Sequence, residues 1–108
     1  GRRILLNGDI QQQAIETLLA ADMDLKADLA DLAHHGSFVE ASPAWLASVD
    51  PSIVLQSAGP RRSIEDPWPR LLEPAGIERL FTHEHGMSSV TVNKDGSISV
   101  WRYREAGE

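Results

Sequence analysis

The 108-residue chain has no cysteine, which excludes disulfide bonds and thiolate metal ligands. It has no apolar run near the roughly 20 residues that a helix needs to cross a bilayer, and it shows no signal peptide. Basic residues are few, 10 against 16 acidic ones, so the net charge is −6. Because nucleic-acid affinity rests largely on Lys and Arg, this balance argues against a general phosphate-binding surface. We expect the arginines at 61, 62, 70, 102 and 104 to be solvated. The alternative is a local basic patch, formed either by Arg61, Arg62 and Arg70 or by Arg102 and Arg104.

The remaining composition is typical of one small globular domain or a piece of one. Hydrophobic residues make up 42% and charged residues 24%, which places the chain among globular and not disordered proteins. A chain of this length buries only about 65% of its unfolded surface, so its core is modest.

Short apolar segments alternate with segments of helical periodicity over the first 80 residues. Strands are predicted at residues 4–6, 29–33, 52–56 and 78–82, helices at 11–21, 42–49 and 69–73, and a hairpin at 89–103. This pattern predicts an α/β fold. Asp31 interrupts the second strand, so we expect that strand to be short or near a sheet edge.

Two short signatures carry the candidate chemistry, and each follows a predicted strand. Asp9 comes directly after Asn7-Gly8, and the pair His34-His35 precedes Gly36-Ser37. A carboxylate and an imidazole from adjacent strand ends are ligands for a divalent ion such as zinc or manganese. The alternatives stay open: Asp9 caps the following helix, and the two histidines bond to the backbone.

A second histidine pair, His83 and His85, brackets Glu84. A His-x-His pair is able to bind metal from one face of a strand. We favour the simpler interpretation, an exposed turn before Gly86 with no metal role.

The ordered series of residues 4–10, 25–37, 42–46 and 51–59 resembles the second half of a metallo-β-lactamase-fold domain. It is most similar to the domain at the C-terminal end of the ComEC family of competence and DNA-uptake proteins. The resemblance implies that residues 1–108 are the C-terminal half of an αββα sandwich. That half would have a mixed sheet, helices on one face and a C-terminal β-hairpin.

The resemblance also implies a function and a set of site residues. Asp9 would bridge two metal ions, zinc or manganese, and either His34 or His35 would complete the shell. The parent would be a metal-dependent hydrolase, a phosphodiesterase or nuclease acting on DNA, anchored in the cell membrane with this domain outside the cytoplasm. The chain itself is expected to be soluble.

Two departures from the family pattern limit this expectation. The His-x-His-x-Asp-His run of the family's first half is absent, and Glu65-Asp66-Pro67 stands where the family has Gly-His-Pro. Asp66 therefore takes the position of a site histidine, where a carboxylate would repel developing negative charge.

Several expectations follow from these departures. Catalytic zinc sites have three protein ligands, so the isolated chain should bind no metal stably and be inactive. Its sheet should expose an apolar face that needs a partner, either the missing half of the domain or a second copy. The alternatives are a non-catalytic binding or assembly domain and a soluble metallo-hydrolase of small molecules.

Overall fold

A computed structural model describes residues 1–105 as a four-stranded parallel sheet in the order β1-β2-β3-β4, with a separate antiparallel hairpin. The strands are β1 (Ile4–Leu5), β2 (Leu29–Asp31), β3 (Ile53–Gln56), β4 (Glu78–Phe81), β5 (Ser88–Val92) and β6 (Ile98–Arg102). The helices are α1 (Gln12–Ala20), α2 (Ser42–Val49), α3 (Pro69–Leu72) and α4 (Thr82–His85), with 3₁₀ turns at Ala33–Gly36 and Pro60–Ser63. The predicted α/β class is confirmed. The predicted half-domain spans residues 1–108, and its last three residues, 106–108, lie outside the part of the chain that the structure describes.

The helices cover one face of the sheet. Parallel strands joined in sequence order need crossover connections, and right-handed crossovers put α1, α2 and α3 on the same side. The core on this side combines helix and strand residues. They include Ile15, Trp45, Leu46, Val49 and Leu72 from the helices and Ala30 and Val54 from the strands. None of the helices within residues 1–105 is long and apolar enough to span a bilayer.

The hairpin covers much of the opposite face, which corrects the expectation of a bare apolar sheet. Leu29, Ile53 and Leu80 are buried there, with Val90, Ile98 and Val100 of the hairpin packed against them. Arg102 pairs with Glu78 at one end of the hairpin, and the Arg2 Nε–H donates to the Gly96 carbonyl at the other, at 2.6 Å. The hairpin pairs only with itself, so the main sheet is wholly parallel and the expected mixed sheet is wrong.

The second strand is short, as predicted, but it lies inside the sheet between β1 and β3. Of the two predicted alternatives, a short strand or one near a sheet edge, the short length is therefore the one confirmed. Asp31 is tolerated there because its Oδ1 accepts the Asn7 backbone N–H at 2.6 Å and the Asn7 side-chain amide at 3.0 Å. A carboxylate satisfied in this way escapes most of the penalty for partial burial.

Asp28 links the residues that immediately precede three strands. Its carboxylate accepts the Arg3 backbone N–H at 2.8 Å, and its carbonyl accepts the Ser52 N–H at 3.0 Å. The Arg3 N–H, helped by the Arg2 guanidinium, holds the pKa of Asp28 below its usual value. The folded state therefore favours the ionised form, and this contribution is present at neutral pH and lost as the pH falls through the folded pKa.

We predict that Asp28→Asn lowers the urea midpoint of unfolding at neutral pH. The difference from the wild-type chain should shrink as the pH falls below about 3.9, the usual aspartate pKa, because protonation makes the two side chains equivalent acceptors. Urea titrations at a series of pH values measure this difference. A difference that persists unchanged in strong acid would contradict the role assigned to Asp28.

Candidate metal centre

The candidate residues meet at the carboxyl edge of the parallel sheet, where ligands bind in open α/β sheets. The chain segments that follow β1, β2 and β3 together form a cleft of about 260 Å³. Its lining residues are Gly8, Asp9, Asp31, Leu32, His35, Leu55 and Ser57. Two of the three predicted candidate ligands, Asp9 and His35, therefore share one cleft, and His34 does not line it.

Asp9 and His35 face each other across this cleft. The His35 Nε2 atom lies 4.0 Å from Asp9 Oδ1, and the two side chains are 61% and 79% exposed respectively. A pair so open to solvent gains little from its own Coulomb attraction, since exposed ion pairs contribute at most about 1 kcal/mol. Stability therefore does not explain the arrangement.

The orientation of the His35 ring is fixed by its other nitrogen. Nδ1 lies 2.9 Å from the carbonyl oxygen of Ser57. Because a carbonyl oxygen can only accept a hydrogen bond, Nδ1 carries the proton in the neutral ring and Nε2 carries the lone pair. Nε2, the nitrogen nearer to Asp9, is therefore the one available to accept a hydrogen bond or to bind a metal ion.

The turn that carries the histidines is strained. His34, His35 and Gly36 have φ values of 50°, 57° and 83°, three successive residues in the left-handed region. Such a conformation costs about 1–3 kcal/mol for each non-glycine residue and persists only where the surroundings hold it. Here the His34 N–H donates to the Gly8 carbonyl at 2.8 Å, which joins the turn to the segment carrying Asp9.

Two side chains from the core hold the turn from below. The Gln56 amide donates to the His35 carbonyl at 3.2 Å, and the Trp68 indole N–H donates to the Gly36 carbonyl at 2.7 Å. Gln56 and Trp68 are almost fully buried. A Cβ atom at Gly36 would overlap the Gln56 side-chain amide, so the turn requires glycine both for its φ and for its packing.

The structure brings His35, and not His34, to Asp9. The His34 ring centroid lies 6.1 Å from that of His35, and its Nδ1 is buried with no hydrogen-bond partner among residues 1–105. The alternative of Asp9 as a helix cap is wrong, since Gln11 occupies the N-cap of α1 and no side chain caps that helix. The alternative that the histidines bond to the backbone is confirmed for the His35 ring. The same bond leaves Nε2 as the nitrogen on the side of Asp9.

The second histidine pair lies in α4, a one-turn helix. His85 is buried, which corrects the expected exposed turn, and its Nδ1 accepts the Phe81 N–H at 3.2 Å. His83 packs beside the Phe81 ring at a centroid distance of 5.6 Å. The pair thus has a packing role in the structure.

Asp66 is held in an ion pair away from the Asp9 and His35 contact. Its Oδ2 lies 2.6 Å from Arg79 Nη1, and both side chains are only 11% exposed. Arg79 also donates to Gln56 Oε1 at 3.1 Å. Asp66 is therefore linked to the His35 carbonyl through two intervening side chains.

The pair of ligands fits a divalent ion in part. Zinc binds nitrogen and oxygen at about 2.0–2.2 Å in tetrahedral geometry, which puts two ligand atoms about 3.4 Å apart. The observed separation of 4.0 Å is longer, so the two exposed side chains would have to move closer together around an ion. Over residues 1–105 no group of three or more His, Cys, Asp or Glu side chains could hold a metal ion. This part of the chain brings together two candidate ligand groups.

Sequence reasoning missed the groups that orient the ligands. The Ser57 carbonyl belongs to the backbone and carries no side-chain signal. Gln56 did carry a signal, because a polar side chain at the end of an apolar strand is costly unless it is hydrogen-bonded. Asp31 is likewise a polar side chain within a short apolar strand, and it accepts a hydrogen bond from the Asn7 backbone.

No protein-family model, no curated protein and no solved structure matches this chain. The chain is an α/β protein with a parallel four-stranded sheet, helices on one face and a C-terminal antiparallel hairpin.

We predict that Gly36→Ala lowers the free energy of unfolding by about 2–5 kcal/mol, from the left-handed φ and the collision with Gln56. Gly76→Ala is the matched control, since Gly76 has a φ of +69° but open space around a new Cβ. It should cost only about 1–2 kcal/mol. Urea denaturation of both variants gives the comparison, and equal losses would show that Gln56 does not restrain the turn.

Proposed function

We propose that this chain is the C-terminal, metal-ligating half of a metal-dependent hydrolase domain of the metallo-β-lactamase type. The observation that carries the proposal is the outward lone pair of His35 Nε2, 4.0 Å from the Asp9 carboxylate, with Nδ1 fixed on the Ser57 carbonyl. Histidines that bind metal almost always donate their other ring N–H to a carbonyl or carboxylate. This arrangement is the one expected of a ligand.

Each residue has a defined task in this proposal. His35 presents a neutral imidazole nitrogen, and Asp9 presents a carboxylate with two oxygens, which suits it to contact two ions. A bound divalent ion supplies Lewis acidity to the hydrolysis of an ester. Ser57 and Gln56 hold the ring and backbone of His35 in place, so that little reorganisation is needed when the ion binds.

The substrate and the parent protein follow from the resemblance to ComEC proteins. On this basis the reaction is phosphodiester hydrolysis of DNA, carried out by a membrane-anchored parent outside the cytoplasm. The segment that resembles the family supplies two ligands, and the complementary half of the domain supplies the rest. The chain by itself is inactive because two ligands do not hold zinc firmly against water.

We predict that zinc added to the ¹⁵N-labelled chain shifts the His35 Nε2 resonance at millimolar or submillimolar concentrations. The hydrogen bond from Nδ1 to the Ser57 carbonyl should stay intact. Weak affinity is expected from two ligands. Asp9→Ala should abolish this shift, and His35→Ala should abolish the zinc-induced shifts of the backbone amides of Gly8 and Asp9. His83→Ala is the matched control, because His83 lies outside the cleft and its loss should leave zinc binding unchanged.

Two results of this titration would contradict the proposal. One is an unperturbed His35 ring at saturating zinc. The other is zinc binding that survives both substitutions but is lost in His83→Ala, which would move the site to α4.

A second candidate function, a non-catalytic binding or assembly domain, is favoured by the Asp66–Arg79 pair. The carboxylate at the position of the family histidine is used to neutralise a buried guanidinium. A residue so engaged is not free to bind substrate or to transfer a proton. The ligand pair would then serve assembly and not hydrolysis.

We predict that Asp66→Ala lowers the free energy of unfolding by about 1–3 kcal/mol, because Arg79 loses its nearest anion. The loss is less than for a fully uncompensated charge, since Glu84 Oε1 remains 3.6 Å from Arg79 Nη2. Asp24→Ala is the control. It removes the partner of Arg3 in an exposed pair of similar distance, 2.7 Å, and should cost less than about 1 kcal/mol. Urea denaturation measures both.

Asp66→His separates the two candidate functions. If Asp66 is structural, this variant loses stability and gains no phosphodiesterase activity in the complete domain. A gain of hydrolysis without loss of stability would overturn the non-catalytic candidate.

A further inference from the structure

A chain of largely buried polar side chains runs from Asp66 to the turn that carries His35. The guanidinium of Arg79 contacts two members of this chain through one nitrogen: Nη1 lies 2.6 Å from Asp66 Oδ2 and donates to Gln56 Oε1 at 3.1 Å. The Gln56 amide nitrogen then donates to the His35 carbonyl at 3.2 Å. Asp66, Arg79 and Gln56 do not line the cleft, so they reach His35 from behind the site.

Arg79 decides which way the Gln56 amide points. An amide side chain carries an acceptor oxygen at one end and a donor nitrogen at the other, and the hydrogen-bonding neighbours set its orientation. Arg79 offers donors only, so the oxygen of Gln56 faces the guanidinium and the nitrogen faces the His35 carbonyl. The reverse orientation would oppose two donors and two acceptors. Gln56 is 1% exposed, so water does not relieve such contacts.

The other oxygen of Asp66 supports the neighbouring carbonyl of the same turn. Oδ1 accepts the Trp68 backbone N–H at 3.1 Å, and the Trp68 indole donates to the Gly36 carbonyl at 2.7 Å. The carbonyls of His35 and Gly36 are consecutive. One carboxylate therefore anchors both of the side chains that bond the turn from below.

The backbone of His35 in turn sets the place of its ring. The φ of 57° at His35 is unfavourable for a residue with a side chain and persists only where outside bonds hold it. A change of φ rotates the side chain about the backbone, which would carry Nδ1 away from the Ser57 carbonyl that it meets at 2.9 Å. The bond to the His35 carbonyl therefore also protects the bond that fixes the ring tautomer.

We propose that Arg79 is a positioning residue for His35, held by Asp66 and acting through the amide of Gln56. Two hydrogen bonds separate the guanidinium from the His35 backbone, so its effect is indirect. It keeps the His35 carbonyl bonded and the ring in one tautomer. The proposal rests on the ligand role that the proposed function gives to His35 Nε2, and it adds the groups that keep this nitrogen unprotonated. Asp66 supports the site without entering it.

A long-range ¹H–¹⁵N spectrum of the histidine rings, recorded at alkaline pH on the full 108-residue chain, tests this role. Gln56→Glu is the sharpest variant, because its carboxylate keeps the contact with Arg79 but has no proton to donate to the His35 carbonyl. We expect the His35 ring to change from a single tautomer with a protonated Nδ1 to a mixture of both tautomers. Arg79→Met should have the same effect, since the Gln56 amide is then free to turn over.

Glu84→Gln is the matched control. Glu84 Oε1 lies 3.6 Å from Arg79 Nη2, whereas Gln56 is bonded to Nη1. This variant therefore removes a charge beside the same guanidinium without breaking the path to His35, and the His35 spectrum should stay as in the wild-type chain. Urea denaturation shows which variants are folded. If Arg79→Met does not fold, Gln56→Glu decides, because it retains a partner for the guanidinium.

The outcomes separate this inference from the proposed function. A folded Gln56→Glu chain whose His35 ring keeps only the protonated Nδ1 would overturn the positioning role and leave the ligand pair standing. Mixed tautomers in Glu84→Gln as well would also overturn it, because the loss would then be a general loosening. A tautomer that responds as expected, in a chain whose His35 ring zinc does not shift, would overturn the ligand role and support the positioning role.

Discussion

The hydrogen bond between His35 Nδ1 and the Ser57 carbonyl is the interaction on which the candidate site depends. It assigns the proton to one ring nitrogen and leaves the lone pair on the other, which points toward Asp9. Without it the ring would be one more exposed histidine with no defined tautomer. The bond joins the segments after β2 and β3, so the pairing of these two strands in the sheet sets the position of the site.

The core supports this bond at a cost in backbone strain. The turn at His34 and His35 adopts left-handed conformations that residues other than glycine avoid. Trp68 and Gln56 compensate by bonding consecutive carbonyls of that turn from buried positions. Strain retained in a structure commonly marks a functional position, and here it coincides with the residue that faces Asp9.

Local patterns predicted the elements well, because periodicity and turn residues act over a few neighbouring positions. The strands, the three crossover helices and the hairpin all lie within a few residues of their predicted bounds. Long-range partners were less accessible. Asp31 is accommodated in an internal strand because it bonds Asn7, which lies 24 positions away. The second sheet face is covered because the hairpin folds back over it. The role of Asp66 depends on its ion pair with Arg79, 13 positions away. The convergence of Asp9 with a histidine was predictable from strand order, whereas the choice of His35 depended on a strained turn that no periodicity reveals.

The tautomer of His35 is the most direct test of this account, because it needs neither metal nor partner. A long-range ¹H–¹⁵N correlation spectrum of the histidine rings, recorded at alkaline pH where the rings are neutral, reports which nitrogen carries the proton. We expect a protonated Nδ1 and an unprotonated Nε2 for His35. A protonated Nε2 would contradict it, because Ser57 would then hold nothing and the atom facing Asp9 would be a donor in place of a ligand.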